Sequence, residues 1–174
     1  MGVGFIKTTF TLLGLAGGSY VGISSAMAAG LTRTTRVRSE ETPESIGLDY
    51  RDVSFTSRGG DARLSGWIIT PESGSDSPQT TARGTSWVIM VHGDNTNRSD
   101  AKTGMLGIAR ALNRRGFGIL MFDLRGRGDS PAAMSSSGYF ERLDLQGASD
   151  YLVSKGADRS RIGVLGFALG GAVA

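Results

Sequence analysis

The sequence contains no cysteine and a single histidine, His92. Without cysteine, the chain cannot form disulfides, use a thiolate nucleophile or bind a metal through sulfur. With one histidine, it cannot build a histidine-rich metal site, and mechanisms that need two histidines are excluded. We therefore expect neither a metal nor a cofactor.

Concentrated basic charge is also missing. The net charge is +3, and the arginines are scattered along the chain. A nucleic-acid-binding surface needs a basic patch or stripe, so we expect no nucleic-acid partner. Of the 174 residues, 39% are hydrophobic and 20% are charged, as in globular proteins. That length suits about one domain.

Residues 8–32 carry no charge, and a basic N-terminal region, residues 1–7, precedes them. The uncharged stretch is long enough to cross a bilayer as a helix. Arginines follow it, which by the positive-inside rule favours a cytoplasmic location for the rest of the chain. We predict a single-pass membrane anchor over 8–32 with a cytoplasmic domain. The alternative is a signal peptide with a small-x-small cleavage sequence at Ala26-Met27-Ala28, and hence a secreted domain.

The polar residues 33–48 predict a linker, and the domain is expected over 49–174. Residues 50–56 and 64–69 alternate as strands do, and a Gly-Gly turn at 58–61 joins them, which indicates a hairpin. A Pro/Ser/Gly/Thr-rich loop is expected at 71–85.

Three apolar runs indicate buried strands, at Trp87–Val91, Gly118–Phe122 and 162–165. Between the first two lies a helical pattern, with apolar side chains on one face, Asn97 or Ser99 as its N-cap and Gly116 at its end. A second helix is expected over 141–155. Strands that alternate with helices predict a parallel sheet in a three-layer α/β fold.

Three motifs each follow one of these strands. They are Val91-His92-Gly93-Asp94, then Asp123-Leu124-Arg125-Gly126-Arg127-Gly128-Asp129-Ser130, and finally Gly166-Phe167-Ala168-Leu169-Gly170-Gly171. In this order and spacing, over about residues 44–174, the chain resembles the α/β-hydrolase superfamily, in particular its dienelactone hydrolase and serine aminopeptidase branches. The third motif is similar to the nucleophile elbow G-x-S-x-G of that family, with Ala168 at the serine position.

The resemblance implies an α/β-hydrolase fold of which only the N-terminal half is present, preceded by one hydrophobic helix. It implies hydrolysis of a small-molecule ester, thioester or amide through an acyl-enzyme at position 168. The N–H groups of Asp94 and Leu169 would form the oxyanion hole, although the Asp94 carboxylate opposes an oxyanion unless it points away. The residues given structural roles in the motifs are His92, Gly93, Asp123, Arg125, Gly126, Gly128, Ser130, Gly166 and Gly170. A buried ion pair of the motif aspartates with Arg125 is expected to order the second loop.

Alanine cannot attack a carbonyl, and the acid and base that the family places after the nucleophile are absent from this sequence. We therefore expect the chain to be catalytically inactive and to be a fragment of a longer hydrolase. The alternative is a pseudo-hydrolase that acts as a membrane-anchored binding or interaction protein.

Two other motif interpretations are weaker. The glycines of the third motif fit neither G-x-G-x-x-G nor G-x-x-x-x-G-K-[ST], so a nucleotide-binding loop is not supported. Arg127-Gly128-Asp129 spells an integrin-recognition tripeptide, but it lies inside a loop that the resemblance already explains.

Overall fold

The computed structural model describes residues 2–34, 36–71, 80–81 and 84–174. The greater part of the loop predicted at 71–85 therefore lies outside the described residues. The chain divides into two compact units, Met1–Arg33 and Thr34–Ala174.

The first unit is a helix, α1 (Gly2–Thr32), as the uncharged stretch predicted. Within the described residues, however, no helix combines the length and the apolarity needed to cross a membrane. Glycine, serine and threonine recur throughout α1 and dilute its hydropathy. The predicted transmembrane anchor is therefore not supported.

The second unit alternates strands and helices. Its described strands are β1 (Arg51–Thr56), β2 (Arg63–Ile69), β3 (Thr80–Thr81), β4 (Gly84–Thr85), β5 (Trp87–Val91), β6 (Gly118–Phe122) and β7 (Ile162–Gly166). Its helices are α2 (Met105–Asn113), α3 (Glu141–Ser154) and α4 (Leu169–Val173), with 3₁₀ turns at Pro43–Ile46 and Arg159–Arg161. The predicted hairpin, strands and second helix are confirmed to within a few residues, and the first predicted helix is present but begins later.

Five strands form one sheet in the order β1-β2-β6-β5-β7. β1 and β2 are antiparallel, β2 is antiparallel to β6, and β5 pairs in parallel with both β6 and β7. The chain leaves β5 towards β6 on one side and comes back to β7 on the other. In open α/β sheets, ligands bind at such a switch point, beyond the carboxyl ends of the strands.

The core lies on both faces of this sheet. Successive residues of β5 point to opposite faces, so Ile89 and Val91 join one apolar cluster and Met90 the other. Helix α3 covers the first cluster and α2 the second. The side chains that the helices bury there are Leu145, Ala148 and Leu152 from α3, and Met105, Leu106 and Ala109 from α2. The three-layer prediction is confirmed.

The start of α2 differs from the prediction. Its N-cap is Gly104, in the left-handed region at φ 66°, and not Asn97 or Ser99. The Asn97 side chain instead closes a turn in the loop before α2, where its Oδ1 accepts the Ser99 N–H at 2.8 Å.

The polar segment before β1 is packed, whereas the sequence predicted a linker. Thr34 belongs to the second compact unit, and its hydroxyl donates to the Ala133 carbonyl oxygen at 3.0 Å. Leu48 is buried in the core cluster under α2.

Two helical glycines give a matched test of this packing. A Cβ at Gly147 in α3 would lie 2.5 Å from the Thr56 carbonyl oxygen, whereas a Cβ at Gly107 in α2 would meet nothing within 4 Å. We expect Gly147→Ala to lower the free energy of unfolding by about 1–3 kcal/mol, because overpacking outweighs helix propensity. Gly107→Ala should raise it by about 0.5–1 kcal/mol. Urea unfolding of both variants measures this, and a stabilised Gly147→Ala chain would contradict the described packing of α3.

Candidate active site

The turn between β7 and α4 holds Ala168 in an uncommon backbone conformation. Its φ is 49° and its ψ is −113°, outside the regions that an L-residue normally occupies. Such a conformation costs of order 1–3 kcal/mol and persists only where the surrounding structure enforces it. A strained strand-to-helix turn of this kind is the geometry of a nucleophile elbow.

Two glycines enforce the turn by letting the chain pass close to itself. A Cβ at Gly166 would lie 2.2 Å from the Gly170 carbonyl oxygen. A Cβ at Gly170 would lie 2.3 Å from the Val91 carbonyl oxygen, at the end of β5. Neither position accepts a side chain unless the backbone shifts, so the spacing of these glycines fixes α4 against the sheet.

The site brings the loop after β5 next to position 168. The Phe167 N–H donates to the Val91 carbonyl oxygen at 3.0 Å. A Cβ built on Gly93 would lie 3.5 Å from the Ala168 Cβ, so the methyl group of position 168 faces this loop. Among the described residues, no hydrogen bond occupies the N–H of Asp94 or of Leu169. Both remain available to a carbonyl or oxyanion.

His92 is buried and both of its ring nitrogens are engaged. Nδ1 lies 2.6 Å from the Gly93 carbonyl oxygen, and Nε2 accepts the Leu124 N–H at 3.1 Å. Nδ1 therefore carries the proton and donates it to Gly93. Burial lowers the pKa of His92 to about 4. The ring is neutral at physiological pH and joins two loops of the site.

The Asp94 carboxylate is directed to Arg127. Asp94 Oδ1 accepts from Nε of Arg127 at 3.1 Å and from its Nη2. The Arg127 side chain is fully buried, and its Nη1 lies 3.6 Å from Glu141 Oε1. Burial alone would raise the pKa of Glu141, but hydrogen bonds from Ser136 and Gly138 lower it to about 2. Arg127 thus lies between two carboxylates.

Asp123 pairs with Arg98, a residue that the sequence did not single out. The Arg98 N–H and Nη1 donate to the Asp123 carboxylate at 2.7 and 2.6 Å. Arg98 also reaches Asp129 at 2.8 Å and lies over the Trp67 ring, 4.0 Å from its centroid. The predicted ion pair of these aspartates with Arg125 is therefore wrong. The Ser130 hydroxyl donates to the Asp123 carbonyl oxygen at 2.7 Å and closes the loop.

Arg125 turns the other way, towards helix α3. Its Nη2 donates to Asp144 at 2.7 Å and to the Ser57 hydroxyl at 3.0 Å, and its Nη1 reaches Asp61 at 2.8 Å. The hydrogen bonds and charges of Arg125 hold the exposed Asp61 carboxyl at a lowered pKa. Arg125 therefore ties the motif loop to the hairpin turn and to α3.

The two glycines of the motif loop are required by space as well as by conformation. Gly126 and Gly128 have φ angles of 71° and 50°. A Cβ at Gly128 would lie 2.2 Å from the Asp123 carboxylate, and one at Gly126 would lie 2.4 Å from the Ala133 carbonyl oxygen. The loop can fold around Asp123 only because these positions lack side chains.

An open cleft of about 870 Å³ lies over position 168. Phe167, Ala168, Gly93 and Asp94 line one part of it. The segment before the hairpin and the loop after β5 contribute the rest, with Val37, Arg38, Glu40, Glu41, residues 95–97 and residues 99–103. Within the described residues, no group of His, Asp or Glu side chains is arranged to hold a metal ion.

The sequence did not identify Arg98, Glu141, Asp144 or the wall formed by Val37, Arg38, Glu40 and Glu41 as parts of the site, and it gave Asn97 only as a helix cap. The one available signal was the pair of arginines in the second motif. Because a buried arginine needs a carboxylate partner, these arginines predict nearby acidic residues.

Because His92 is the one histidine of the sequence, its imidazole gives a single NMR titration. We expect a midpoint near the lowered pKa of about 4 in the folded chain, against the ordinary value of 6.5 in urea. Between these two values the unfolded chain binds more protons, so the free energy of unfolding should fall as pH drops through that range. A folded-state midpoint near 6.5 would show that water reaches the ring.

The chain is similar to proteins that are longer than itself. It is 32% identical over 125 residues to an uncharacterized protein of Mycobacterium tuberculosis. The matched residues are 71% of this chain and 39% of that protein. No protein-family model matches the chain.

Solved structures share the fold. The esterase Pf2001 of Pyrococcus furiosus is 32% identical, with a TM-score of 0.67 over 82% of this chain and 51% of that one. XC6422 of Xanthomonas campestris, an α/β serine hydrolase without a lid, is 19% identical, with a TM-score of 0.53 over 72% of this chain and 53% of that one. The chain thus spans about half of each solved relative. With its sheet order, its strained turn and its three motifs, it has an α/β-hydrolase fold and is related to the α/β-hydrolase superfamily.

Proposed function

We propose that the cleft is the carbonyl-binding site of a hydrolase of small esters, thioesters or amides. In this chain the site binds such molecules without attacking them, because Ala168 stands where the nucleophile belongs. The observation that carries the proposal is the positive φ of Ala168, which directs position 168 at the loop of Asp94.

The geometry suits carbonyl addition at position 168. With serine there and a base to take its proton, the hydroxyl oxygen would add to the carbonyl carbon, and the carbonyl oxygen would take up the negative charge. The N–H groups of Asp94 and Leu169, preorganised by their loops, would stabilise that charge. A methyl group has no lone pair to form the bond, so with Ala168 the bound carbonyl stays intact.

Charge around the site is compatible with an oxyanion. The half-exposed carboxylate of Asp94 is compensated by the buried guanidinium of Arg127. Its hydrogen bonds to Arg127 engage the carboxylate outside the proposed oxyanion hole. An acidic side chain at position 94 is therefore compatible with an oxyanion bound at the Asp94 N–H.

His92 cannot serve as the general base. Its Nε2 lone pair accepts the Leu124 N–H, and its Nδ1 proton is held by the Gly93 carbonyl oxygen. A base must be free to take the proton of the nucleophile. No other histidine is present in the sequence, so restoring the nucleophile alone does not restore the reaction.

A second candidate function is non-catalytic binding by a pseudo-hydrolase. The observation that favours it is that the glycine contacts and the two N–H donors are kept although the nucleophile is not. Catalysis in an Ala168→Ser chain joined to an acid and a histidine would favour the hydrolase, whereas ligand binding without turnover in that chain would favour the pseudo-hydrolase.

We expect Ala168→Ser in this chain to hydrolyse p-nitrophenyl acetate no faster than the unaltered chain. The reason is that its only histidine is engaged in the fold. A spectrophotometric assay of released p-nitrophenolate checks this, with buffer as the blank. Turnover above that of the unaltered chain would contradict the role given to His92.

We also expect the unaltered chain to bind the intact ester at the proposed donors. In a ¹⁵N-labelled chain, p-nitrophenyl acetate should shift the amide resonances of Asp94 and Leu169. Gly93→Ala is the matched control, because its Cβ would lie at an ordinary contact distance of 3.5 Å from the Ala168 Cβ and would fill the space between them. It should fold and lose the shifts. Shifts that survive in Gly93→Ala would place the ligand elsewhere.

A further inference from the structure

One wall of the cleft comes from the segment that precedes the hairpin. Residues 36–41, called the strap from here on, contribute Val37, Arg38, Glu40 and Glu41 to the lining of the cleft that also contains Ala168. The strap precedes the first strand, and none of the three motifs includes it. A contact outside the motifs must therefore hold the strap in the cleft.

The cause is the side chain of Asn97, which is 6% exposed. Its Nδ2 donates to the carbonyl oxygens of Val37 and Arg38, each at 3.1 Å. Two hydrogen bonds from one buried amide fix the strap backbone at the point where it enters the cleft. Because the donors meet backbone carbonyls, the contact does not depend on which side chains the strap carries.

The other end of the same amide holds the loop after β5. Asn97 Oδ1 accepts the Ser99 N–H at 2.8 Å, the Ser99 hydroxyl at 2.9 Å and the Ser39 hydroxyl at 3.3 Å. Asp94, whose N–H is a proposed oxyanion donor, lies three residues before Asn97 on this loop. One side chain thus joins the strap to the loop of the proposed oxyanion hole.

Weaker contacts tie the strap to the second motif. Arg36 Nε donates to the Gly128 carbonyl oxygen at 3.3 Å. Arg38 Nε lies 3.9 Å from Asp129, but both side chains are well exposed, so this pair contributes little. Asn97 is therefore the main anchor of the strap within the cleft.

We propose that the strap is a ligand-contacting wall that selects for acyl groups longer than acetyl, and that Asn97 is the residue that positions it. The proposal rests on the proposed function, since it concerns the same cleft. A cleft of about 870 Å³ is far larger than an acetyl group needs. An acetyl ester held at Asp94 and Leu169 leaves the strap untouched, whereas a longer acyl chain extends along the cleft to it.

Asn97→Asp removes the backbone hydrogen bonds to the strap and keeps those of the loop. Aspartate keeps the oxygen that accepts from Ser99 and, at 3.3 Å, from the Ser39 hydroxyl, but it loses the donor to the carbonyl oxygens of Val37 and Arg38. Ser99→Ala is the matched control, because it removes a hydrogen bond on the loop side and leaves the strap bonds in place. In the full chain at pH 7.5, we expect Asn97→Asp to speed amide hydrogen exchange over residues 36–41, and Ser99→Ala to leave it unchanged.

The dissociation constants of p-nitrophenyl acetate and p-nitrophenyl hexanoate, measured by NMR titration of each chain, then test the role of the strap. We expect Asn97→Asp to weaken the hexanoate about five- to tenfold and to change the acetate less than twofold. Ser99→Ala should change neither by more than twofold. Should Asn97→Asp fail to fold, Val37→Ala gives the same decision, because it shortens the exposed side chain of the wall and keeps the backbone bonds to Asn97.

Equal weakening of both esters would overturn the proposal, because Asn97 would then act on the oxyanion loop alone. Unchanged hexanoate binding with a released strap would also overturn it and would leave the proposed function standing. If the unaltered chain binds neither ester, both the proposed function and the role of the strap are overturned.

Discussion

The site depends on how closely the first turn of α4 approaches the ends of β5 and β7. Gly166 and Gly170 are the positions where this approach leaves no room for a Cβ. With the helix fixed there, the residue between strand and helix takes the positive φ observed at Ala168. The strained turn is therefore a property of glycine packing, and it persists without the serine hydroxyl that it presents in a nucleophile elbow.

Three buried arginines complete the loops around that turn. Arg98 holds Asp123, Arg125 holds the first turn of α3, and Arg127 lies between Asp94 and Glu141. Removing one partner of such a pair costs about 3–5 kcal/mol, because a buried charge is left uncompensated. Among them, the pair of Arg127 with Asp94 holds the loop that lies next to position 168. Arg127, the arginine of the Arg-Gly-Asp tripeptide, is buried in these contacts, whereas Asp129 is exposed.

The sequence predicted the layers, the strands and the three motifs because each depends on local patterns. Trp87–Val91 and Gly118–Phe122 are continuous apolar runs, and both are strands in the structure. The partners of the motif arginines could not be predicted, since Arg98 and Asp123 are far apart in sequence. The strap was assigned to a linker because its composition is polar. Composition gives no sign of the hydrogen bonds that a distant asparagine donates to the strap backbone.

The φ angle of Ala168 in solution can be measured from backbone scalar and residual dipolar couplings of an isotope-labelled chain. We expect a positive φ, near the 49° of the structure, because the glycine contacts hold the turn in the absence of a nucleophile. A φ in the ordinary helical region, near about −60°, would contradict it. Position 168 would then not face Asp94, and the carbonyl site would not exist in this chain.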